Sequence, residues 1–361
     1  MTSSASADLY LAGVGAVGTA LLGRLEALSD GAPRLVGACT TRGAVWNPDG
    51  LAPAALAATP SWDEPTDWNT ILPRLEEAAG GARPVVFVDA TSDPDVGRAY
   101  LRLLEAGVLV VTPSKHANTF EQAYFDALLA ASGGGVRYRY ETTVGAGLPV
   151  VQPVRDLRAS GDRIEEIVCS PSGTLTFVFD RLGQGASFSE AVVEARQRGY
   201  AEPDVRDDLS GEDVVRKLII LARTAGYRVE RSEVEVEPLT PPALADVPAA
   251  EVPDRLAAYD AAWSDRAAAA AAEGQVLRYV GRFEDGRIAV GVREVPTDSA
   301  LGQLAGTDTL FTFRTERYGD APITISGPGA GADVTAGGIL ADVHTVVAQA
   351  HAAQEQVVPA G

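Results

Sequence analysis

Short apolar runs alternate with helical patterns over the first 143 residues. The predicted strands cover residues 8–12, 34–39, 84–91, 108–115 and 136–143. The predicted helices run from Ala16 to a stop at Asp30-Gly31 and over residues 66–80, 93–107 and 119–132. This alternation is typical of a parallel sheet with helices on both faces. It predicts a doubly wound α/β domain of the Rossmann type, with a longer irregular excursion over residues 42–83.

The order of elements changes after residue 149. Extended segments are predicted at 164–169, 174–179, 233–239, 276–283 and 287–294, and helices at 212–226, 254–274 and 328–351. A mixed order of this kind indicates an α+β domain with a mixed sheet. We expect the first domain to cover residues 1–148 and to be completed by 318–361, and the second domain to cover 149–317.

Composition narrows the class of protein. The chain has 361 residues, 46% of them hydrophobic, and a net charge of -19. It lacks the basic footprint of a protein that binds nucleic acid or an anionic membrane. No apolar run approaches the roughly 20 residues that cross a bilayer, and the apolar N-terminal stretch lacks the basic segment of a signal peptide. Cys39 and Cys169 form no metal or disulfide pattern, so we expect a cytoplasmic protein.

The hexapeptide GVGAVG follows the first predicted strand and opens a helix. In the G-x-G-x-x-G pattern, Gly13 permits a tight turn, Gly15 lets the backbone approach a pyrophosphate, and Gly18 lets the helix pack on the strand. The backbone N–H groups of Ala16 and Val17 would then face the phosphates at the helix N-terminus. The pattern predicts a dinucleotide site.

Other candidate cofactor ligands follow the later strands. The second strand ends in Thr40, Thr41 and Arg42 instead of the acidic residue usual in NAD-binding folds. An arginine suits a 2′-phosphate and favours NADP over NAD, although Arg42 could also simply face solvent. The further candidates at strand ends and in the Gly-rich turn near the C-terminus are Thr91, Ser92, Ser114, Lys115 and Gly331.

Lysine occurs only at positions 115 and 217, although the chain holds 30 basic residues, so the other 28 are arginines. Arginine serves at any solvated surface position but stays protonated, whereas a lysine can release and regain a proton. Both lysines are therefore candidates for proton chemistry, with chance retention as the alternative.

The stretch GYAEPDVRDDLSGEDVVRK (199–217) carries six carboxylates. Its end predicts a helix capped by Ser210, in which Asp213 and Lys217 lie one turn apart on the same face. The neighbours on that face are apolar, which predicts a partly buried ion pair instead of a solvated charge run. Carboxylates in the preceding loop would suit a substrate that bears an ammonium group.

The segment YETTVGAGLP (140–149) places Glu141 beside a glycine-rich, irregular backbone. A carboxylate with converging carbonyl groups resembles a site for a hard cation. A plain hinge between two domains explains the same residues equally well.

Taken together, these segments resemble homoserine dehydrogenases of the short type. The matching segments run in order through most of the chain: GVGAVG, DATS, TPSK, YETTVGAGLP, SGTL, GYAEPDVRDDLSGEDVVRK and GAGADVTAGGILAD. The resemblance implies reversible reduction of L-aspartate 4-semialdehyde to L-homoserine by NAD(P)H, in the biosynthesis of threonine, methionine and isoleucine. It also implies a homodimer formed through the second domain, which would bind substrate and carry out catalysis.

The resemblance assigns roles to individual residues. Lys217 would exchange the proton at the reacting oxygen, Asp213 would orient it, and Lys115 would lie between nicotinamide and substrate. The residues implied to bind the amino acid are Glu202, Asp208, Gly173 and Thr174. Those implied to bind a monovalent cation such as sodium are Glu141 and the carbonyl groups of Val144, Ala146 and Leu148. We expect Asp204 and Glu212 to be merely solvated.

Longer members of this family carry a C-terminal regulatory ACT domain that binds threonine. The short chain predicts that feedback through such a domain is absent. Two other functions stay open: a related NAD(P)-dependent oxidoreductase acting on another amino-acid aldehyde or imine, and a non-catalytic NADP-binding dimer. The presence of both lysines argues against the second.

Overall fold

The structure, a computed structural model, describes residues 7–28, 31–59 and 61–357. The predicted helix stop at Asp30 lies outside these residues. The strands that it describes are β1 (Asp8–Ala12), β2 (Arg34–Thr40), β3 (Gly43–Trp46), β4 (Val85–Asp89), β5 (Leu109–Val111), β6 (Tyr138–Arg139), β7 (Ile164–Ser170), β8 (Glu235–Val236), β9 (Gln275–Glu284), β10 (Arg287–Pro296), β11 (Asp308–Thr315) and β12 (Ile323–Pro328).

The helices surround these strands. The described α-helices are α1 (Ala16–Ala27), α2 (Pro53–Ala58), α3 (Trp68–Ala79), α4 (Pro94–Arg98), α5 (Tyr100–Glu105), α6 (His116–Thr119), α7 (Gln122–Ala131), α8 (Val151–Ala159), α9 (Gly173–Gly183), α10 (Phe188–Gln197), α11 (Val205–Leu209), α12 (Glu212–Thr224), α13 (Val252–Leu256), α14 (Asp260–Ala272) and α15 (Ala332–Val357). Short 3₁₀ turns cover Glu141–Thr143, Arg231–Glu233, Pro242–Leu244 and Ala257–Tyr259. Within the described residues, no helix combines the length and apolar character that crossing a membrane requires.

The chain divides into two compact units. The first comprises Met1–Gly147 and Gly331–Gly361, and the second comprises Leu148–Ala330. The boundary predicted at 317/318 lies thirteen residues before this second boundary. The difference arises because β12 pairs with β11 and so adds an edge strand to the sheet of the second unit.

The first unit contains a doubly wound sheet in the order β3-β2-β1-β4-β5-β6. All neighbouring strands are parallel except β3, which forms an antiparallel hairpin with β2. This confirms the predicted Rossmann-type fold. The irregular excursion over residues 42–83 contains β3, α2 and α3.

Both faces of this sheet are buried. On one face, the leucines and valines of β1, β4 and β5 form a single cluster with Leu21, Leu25, Ile339 and Val343 of α1 and α15. On the other face, Tyr10 stacks on Phe87 with ring centroids 6.2 Å apart, and Phe87 contacts Tyr100 edge-on at 6.3 Å. A sheet covered on both faces explains why its strands are continuously apolar in sequence.

Several predicted elements of this unit are shorter than expected, and the strand over residues 108–115 is only Leu109–Val111. The helix over residues 93–107 breaks into α4 and α5, because the Ala99 N–H bonds to the carbonyl of Val96, three residues back. The strand over 136–143 is only Tyr138–Arg139. It ends there because the N–H of Glu141 donates to the side chain of Asp342 on α15 at 3.0 Å, outside any strand ladder.

The second unit has a mixed sheet in the order β12-β11-β7-β9-β10-β8, in which only β10 and β8 are parallel. The predicted strand over residues 174–179 is wrong, because these residues lie in helix α9. Ser172 caps that helix by accepting the Leu175 N–H at 3.2 Å. Almost every side chain from Leu175 to Phe179 is buried, so the sequence shows no polar face from which a helical period could be recognised.

Helix α12 begins at a constrained glycine. Gly211 has φ 74°, in the left-handed region, and a Cβ atom there would collide with the hydroxyl of Tyr279. Tyr279 in turn donates to the carbonyl of Glu237 at 2.8 Å. The glycine therefore sets where α12 starts. Ser210 accepts the Glu212 N–H at 3.2 Å, close to the capping role predicted for it.

We expect Gly211→Ala to destabilise the protein by about 1–2 kcal/mol from backbone strain, and by about 1–3 kcal/mol more from the collision with Tyr279. Gly185→Ala is the matched control, because Gly185 also has positive φ (95°) but has no atom within 4 Å of its Cβ position. Thermal unfolding of both variants measures the difference. Equal losses in both would contradict the role of Tyr279.

Candidate active site

The turn between β1 and α1 leads into the N-terminus of a helix. Gly13 has φ 92°, and a Cβ atom there would lie 2.6 Å from the carbonyl oxygen of Ala90. Gly15 is the N-cap of α1 and has no side chain to cap the helix, no atom lies within 4 Å of its Cβ position, and the first turn carries no acidic residue. The first N–H groups of α1, those of Ala16, Val17 and Gly18, have no partner within the helix and suit a phosphate.

Two loops continue this edge of the sheet. Thr91 and Ser92 follow β4, and the N–H of Thr91 donates to Asp89 Oδ1 at 2.8 Å. Ser114 and Lys115 follow β5, and Lys115 is the N-cap of the short helix α6. The hydroxyl of Ser114 is buried and has no hydrogen-bond partner among the described residues. A buried hydroxyl without a partner fits a site that a polar ligand completes.

Arg42 and Gly331 lie at other points of the first unit. Arg42 is exposed in the turn between β2 and β3, where its N–H donates to Thr40 Oγ1 at 3.1 Å. Gly331 precedes α15, and its carbonyl accepts the Thr335 N–H at 3.0 Å. The two threonines before Arg42 leave this strand end without a carboxylate.

Lys217 and Asp213 form the ion pair expected from their spacing. The Nζ atom of Lys217 lies 2.8 Å from Asp213 Oδ2 and also donates to the carbonyl of Pro171 at 2.8 Å. The lysine side chain is 9% exposed, whereas that of Asp213 is 45% exposed. An ammonium group has three donors, so one N–H remains for a further acceptor after these two contacts.

The apolar surroundings of this lysine come from its own helix. Val214, Leu218, Ile220 and Leu221 are all almost completely buried. A buried ammonium costs several kcal/mol unless it is paired and hydrogen-bonded. The carboxylate and the Pro171 carbonyl offset that cost and fix the position of Nζ.

The predicted substrate residues lie around the N-termini of α9 and α11. Asp208 Oδ2 accepts the Glu202 N–H at 2.8 Å, and Thr174 Oγ1 donates to the carbonyl of Tyr200 at 2.6 Å. Burial raises the pKa of the Asp208 carboxyl, and the nearby charges of Glu202 and Asp213 raise it further, whereas the hydrogen bond from the Glu202 N–H lowers it. The negative charge of Asp208 is therefore only partly offset by hydrogen bonding, and a cationic ligand would stabilise it.

Gly173 faces a loop that the sequence analysis did not identify. A Cβ atom at Gly173 would lie 2.8 Å from the carbonyl oxygen of Thr307. Buried Arg278 holds the preceding loop by donating to the carbonyl groups of Leu301, Gly302 and Leu304 at 2.8–3.1 Å. Nothing in the sequence marks Arg278, because 28 residues of the chain are arginines.

Two carboxylates expected to be solvated are instead paired. Asp204 caps α11 and binds the guanidinium of Arg206, with the closest atoms 2.7 Å apart. Glu212 binds Arg231, also at 2.7 Å. The expectation was wrong because both carboxylates have an arginine partner. Arg206 lies on the helix that Asp204 caps, and Arg231 reaches Glu212 only when the chain folds.

Three of the residues predicted to bind a cation lie near the end of the first segment of the first unit. Glu141 opens a 3₁₀ turn, Val144 is buried, and Ala146 has φ 53°, which turns the backbone sharply. Leu148 is the first residue of the second unit. Among the described residues, no group of three or more His, Cys, Asp or Glu side chains could hold a metal ion. A monovalent cation held by one carboxylate and carbonyl groups stays a prediction.

The first unit, with its fingerprint turn at the centre of the strand order, is a dinucleotide-binding fold of the Rossmann class. Family models agree: one described as the NAD binding domain of homoserine dehydrogenase matches residues 13–141, and one described as homoserine dehydrogenase matches residues 149–344. The chain is also 39% identical to homoserine dehydrogenase of Paracoccidioides brasiliensis, covering 95% of this chain and 98% of the relative. The chain belongs to the homoserine dehydrogenase family.

Other similarities are partial or structural. A bifunctional aspartokinase/homoserine dehydrogenase of Haemophilus influenzae is 44% identical over 72% of this chain, which spans only 32% of that relative. A crystal structure of a protein of unknown function from Candida auris superposes with a TM-score of 0.87 at 34% identity, covering 96% of this chain and 99% of the other. A hyperthermophilic archaeal homoserine dehydrogenase in complex with NADPH shares the fold, with a TM-score of 0.72 at 20% identity and coverage of 95% and 98%.

The raised pKa of Asp208 predicts a pH-dependent effect on stability. The folded carboxyl binds its proton more tightly than the unfolded one, so the wild-type protein loses stability as pH rises above the ordinary aspartate value. Asp208→Asn removes this titration. We expect its melting temperature, relative to wild type, to increase between about pH 4 and pH 7.

Asp204→Asn is the control of opposite sign. Hydrogen bonds from Arg206 lower the pKa of Asp204, so its stabilisation is present at neutral pH and is lost as pH falls through the folded value. We expect this variant to be less stable than wild type at pH 7 and to approach it in acid. The same trend with pH in both variants would contradict the electrostatic difference between the two carboxylates.

Proposed function

We propose that this protein catalyses the reversible NAD(P)H-dependent reduction of L-aspartate 4-semialdehyde to L-homoserine, in the biosynthesis of threonine, methionine and isoleucine. The observation that carries the proposal is the buried ammonium of Lys217, which Asp213 and the Pro171 carbonyl hold with one N–H left over. Membership of the homoserine dehydrogenase family supports it.

Lys217 is the proposed acid and base. A bound nicotinamide supplies or accepts the hydride, and the carbonyl oxygen of the aldehyde gains negative charge as the hydride arrives. Lys217 stabilises that charge with its remaining N–H and then donates the proton. In the reverse direction it accepts the hydroxyl proton. Asp213 and Pro171 keep Nζ in one position throughout, and Lys115 is proposed to contact nicotinamide and substrate.

The carboxylates of the second unit are proposed to recognise the amino-acid part of the substrate. The pKa of Asp208 is raised by burial, so an ammonium group beside it would relieve an unfavourable charge. Glu202 is exposed, and its backbone N–H donates to Asp208, which keeps the two carboxylates close together. Gly173 and Thr174 begin α9 and are proposed to line the pocket beside these carboxylates.

The cofactor is proposed to be NADP, with NAD as the weaker alternative. The residues that would hold it are Gly13, Gly15 and Gly18 with the first N–H groups of α1, and Thr91, Ser92, Ser114, Lys115 and Gly331. Arg42 is exposed at the end of β2 and would pair with the 2′-phosphate. The archaeal homoserine dehydrogenase that shares this fold was solved with NADPH, which supports the choice.

Three further properties are proposed from the family resemblance. A monovalent cation such as sodium would be bound by Glu141 and the carbonyl groups of Val144, Ala146 and Leu148, since oxygen donors suit a hard cation. The protein would be a homodimer. It would reside in the cytoplasm, in keeping with Cys39 and Cys169, which are buried and free.

Replacing Lys217 tests the proton transfer. We expect Lys217→Ala to lower kcat for NADPH-dependent reduction of aspartate semialdehyde by about 10²–10⁴-fold. Lys217→Arg should also lose at least about 10²-fold, because arginine keeps the charge but does not release its proton. Both should keep the wild-type Kd for NADPH. Steady-state kinetics and cofactor titration measure these values.

Arg216→Ala is the matched control for these variants, since Arg216 is the next residue on α12 and its side chain is 37% exposed. It should leave kcat within about twofold of wild type, as surface substitutions usually do. Full activity in Lys217→Arg would exclude proton transfer by Lys217.

A panel of other amino-acid aldehydes and imines, assayed with the same enzyme, separates homoserine dehydrogenase from a related oxidoreductase.

Cofactor preference depends on Arg42 if the proposal is correct. A charge-assisted hydrogen bond contributes about 1.5–3 kcal/mol, so Arg42→Ala should raise the KM for NADPH about 10-fold to 100-fold. The KM for NADH should not change, because NADH lacks the 2′-phosphate. Parallel increases for both cofactors would show that Arg42 does not recognise that phosphate.

A further inference from the structure

A buried polar network lies at the carboxyl end of β4. Asp89, the last residue of β4, is completely buried. Its Oδ1 atom accepts the Thr91 N–H at 2.8 Å, and its Oδ2 atom accepts a hydrogen bond from the hydroxyl of Tyr100 on α5. Asp89 thereby connects the loop after β4 to a helix that packs on the sheet.

Thr112, the residue after β5, joins the second loop to the same network. Its hydroxyl donates to the backbone carbonyl of Asp89 at 3.0 Å and accepts the Ser114 N–H at 2.8 Å. It also lies 3.0 Å from the hydroxyl of Tyr100. Both Thr112 and Tyr100 are completely buried. One network therefore fixes the backbone of Thr91 and of Ser114.

A carboxylate at this position is unfavourable for the fold alone. Burial raises the pKa of Asp89, and the hydrogen bonds from Thr91 and Tyr100 lower it again. The other residues of β4 (Val85–Val88) are all apolar and buried, and an apolar side chain in place of Asp89 would avoid the desolvation cost. A role in general stability is the alternative explanation.

The position of the network favours a role in ligand binding. The two loops that it connects carry four of the predicted cofactor residues, Thr91, Ser92, Ser114 and Lys115. The hydroxyl of Ser114 is buried without a partner among the described residues, although its backbone N–H is held by Thr112. The network thus fixes a residue whose own polar group is left for a ligand.

We propose that Asp89, Tyr100 and Thr112 are positioning residues, which hold the loops after β4 and β5 in the conformation that binds the dinucleotide. They act through the Thr91 and Ser114 backbone and do not touch the cofactor themselves. This inference rests on the proposed function of the first unit as the NADPH-binding unit. It adds three residues to those that the sequence predicted to bind the cofactor.

The test compares two substitutions of Thr112 that differ in whether the hydroxyl is kept. Thr112→Ser keeps the hydroxyl, whereas Thr112→Val keeps the shape and removes it. NADPH binding to the full-length protein is measured by nicotinamide fluorescence without substrate, so the readout does not depend on catalysis. We expect Thr112→Val to raise the Kd about tenfold or more, and Thr112→Ser to remain close to wild type.

Asp8→Asn is the control for stability. Asp8 opens β1 at the opposite end of the same sheet and pairs with Arg34 at 2.9 Å. We expect it to lower the melting temperature while leaving the Kd for NADPH unchanged. A raised Kd in Asp8→Asn comparable to that of Thr112→Val would overturn the inference, because loss of stability alone would then explain both.

The mechanism is tested by a double-mutant cycle with Ser114→Ala. If Thr112 acts largely through Ser114, Thr112→Val should raise the Kd less in the Ser114→Ala background than in the wild-type protein. Additive effects would overturn the inference, as would equal Kd values for Thr112→Val and Thr112→Ser.

If Thr112→Val does not fold, the Kd of Tyr100→Phe for NADPH is measured instead, and an unchanged Kd overturns the inference. A wild-type protein that binds no NADPH would overturn the proposed function itself.

Discussion

The second unit is organised around one buried ammonium. Lys217 lies among apolar side chains and reaches two oxygen atoms, of Asp213 and of the Pro171 carbonyl, both 2.8 Å away. This arrangement requires that α12 begin at a defined residue, which Gly211 and Tyr279 ensure, and that the turn between β7 and α9 present a carbonyl group. A shift of α12 by one residue would carry Nζ away from the Pro171 carbonyl, while Asp213 on the same helix would move with it, so the buried ammonium would lose one of its two acceptors. The proposed chemistry and the local fold thus depend on the same contacts.

The first unit follows a similar principle with backbone groups. Its proposed ligand-binding residues lie in the fingerprint turn and in two strand-end loops, which have no regular secondary structure to fix their conformation. The N–H of Gly13 donates to the carbonyl of Cys39 at 2.9 Å, and Asp89 and Thr112 hold the two loops. In both units, groups that are not proposed to meet a ligand set the position of those that are. Such preorganisation avoids the cost of ordering the site when a ligand binds.

Much of the fold could be predicted because local patterns and burial agree. Four strands of the first unit (β1, β2, β4 and β5), the fingerprint turn and α12 were predicted near their observed positions, and the spacing of Asp213 and Lys217 indicated their ion pair. The hairpin strand β3 was not predicted. The prediction failed where burial was complete or where a distant group intervened. Residues 174–179 form a helix that is buried nearly all round, so its β-branched and aromatic residues suggested a strand. The strand at 136–143 stopped early because Asp342, some 200 residues away in sequence, takes the N–H of Glu141.

The sequence alone determined the class of the first unit, because the glycine fingerprint lies within one βαβ unit. It also determined the unusual lysine and the excess of carboxylates before it, because these depend on residue type. Tertiary structure alone decided which carboxylates are free to meet a ligand. Asp204 and Glu212 are paired with Arg206 and Arg231, whereas Asp208 is half-buried and has a raised pKa. It also decided that a carbonyl of Pro171 completes the contacts of Lys217, and that Asp89, Tyr100 and Thr112 connect two loops. Backbone acceptors and buried networks of this kind have no signature in a sequence, since they depend on segments brought together only when the chain folds.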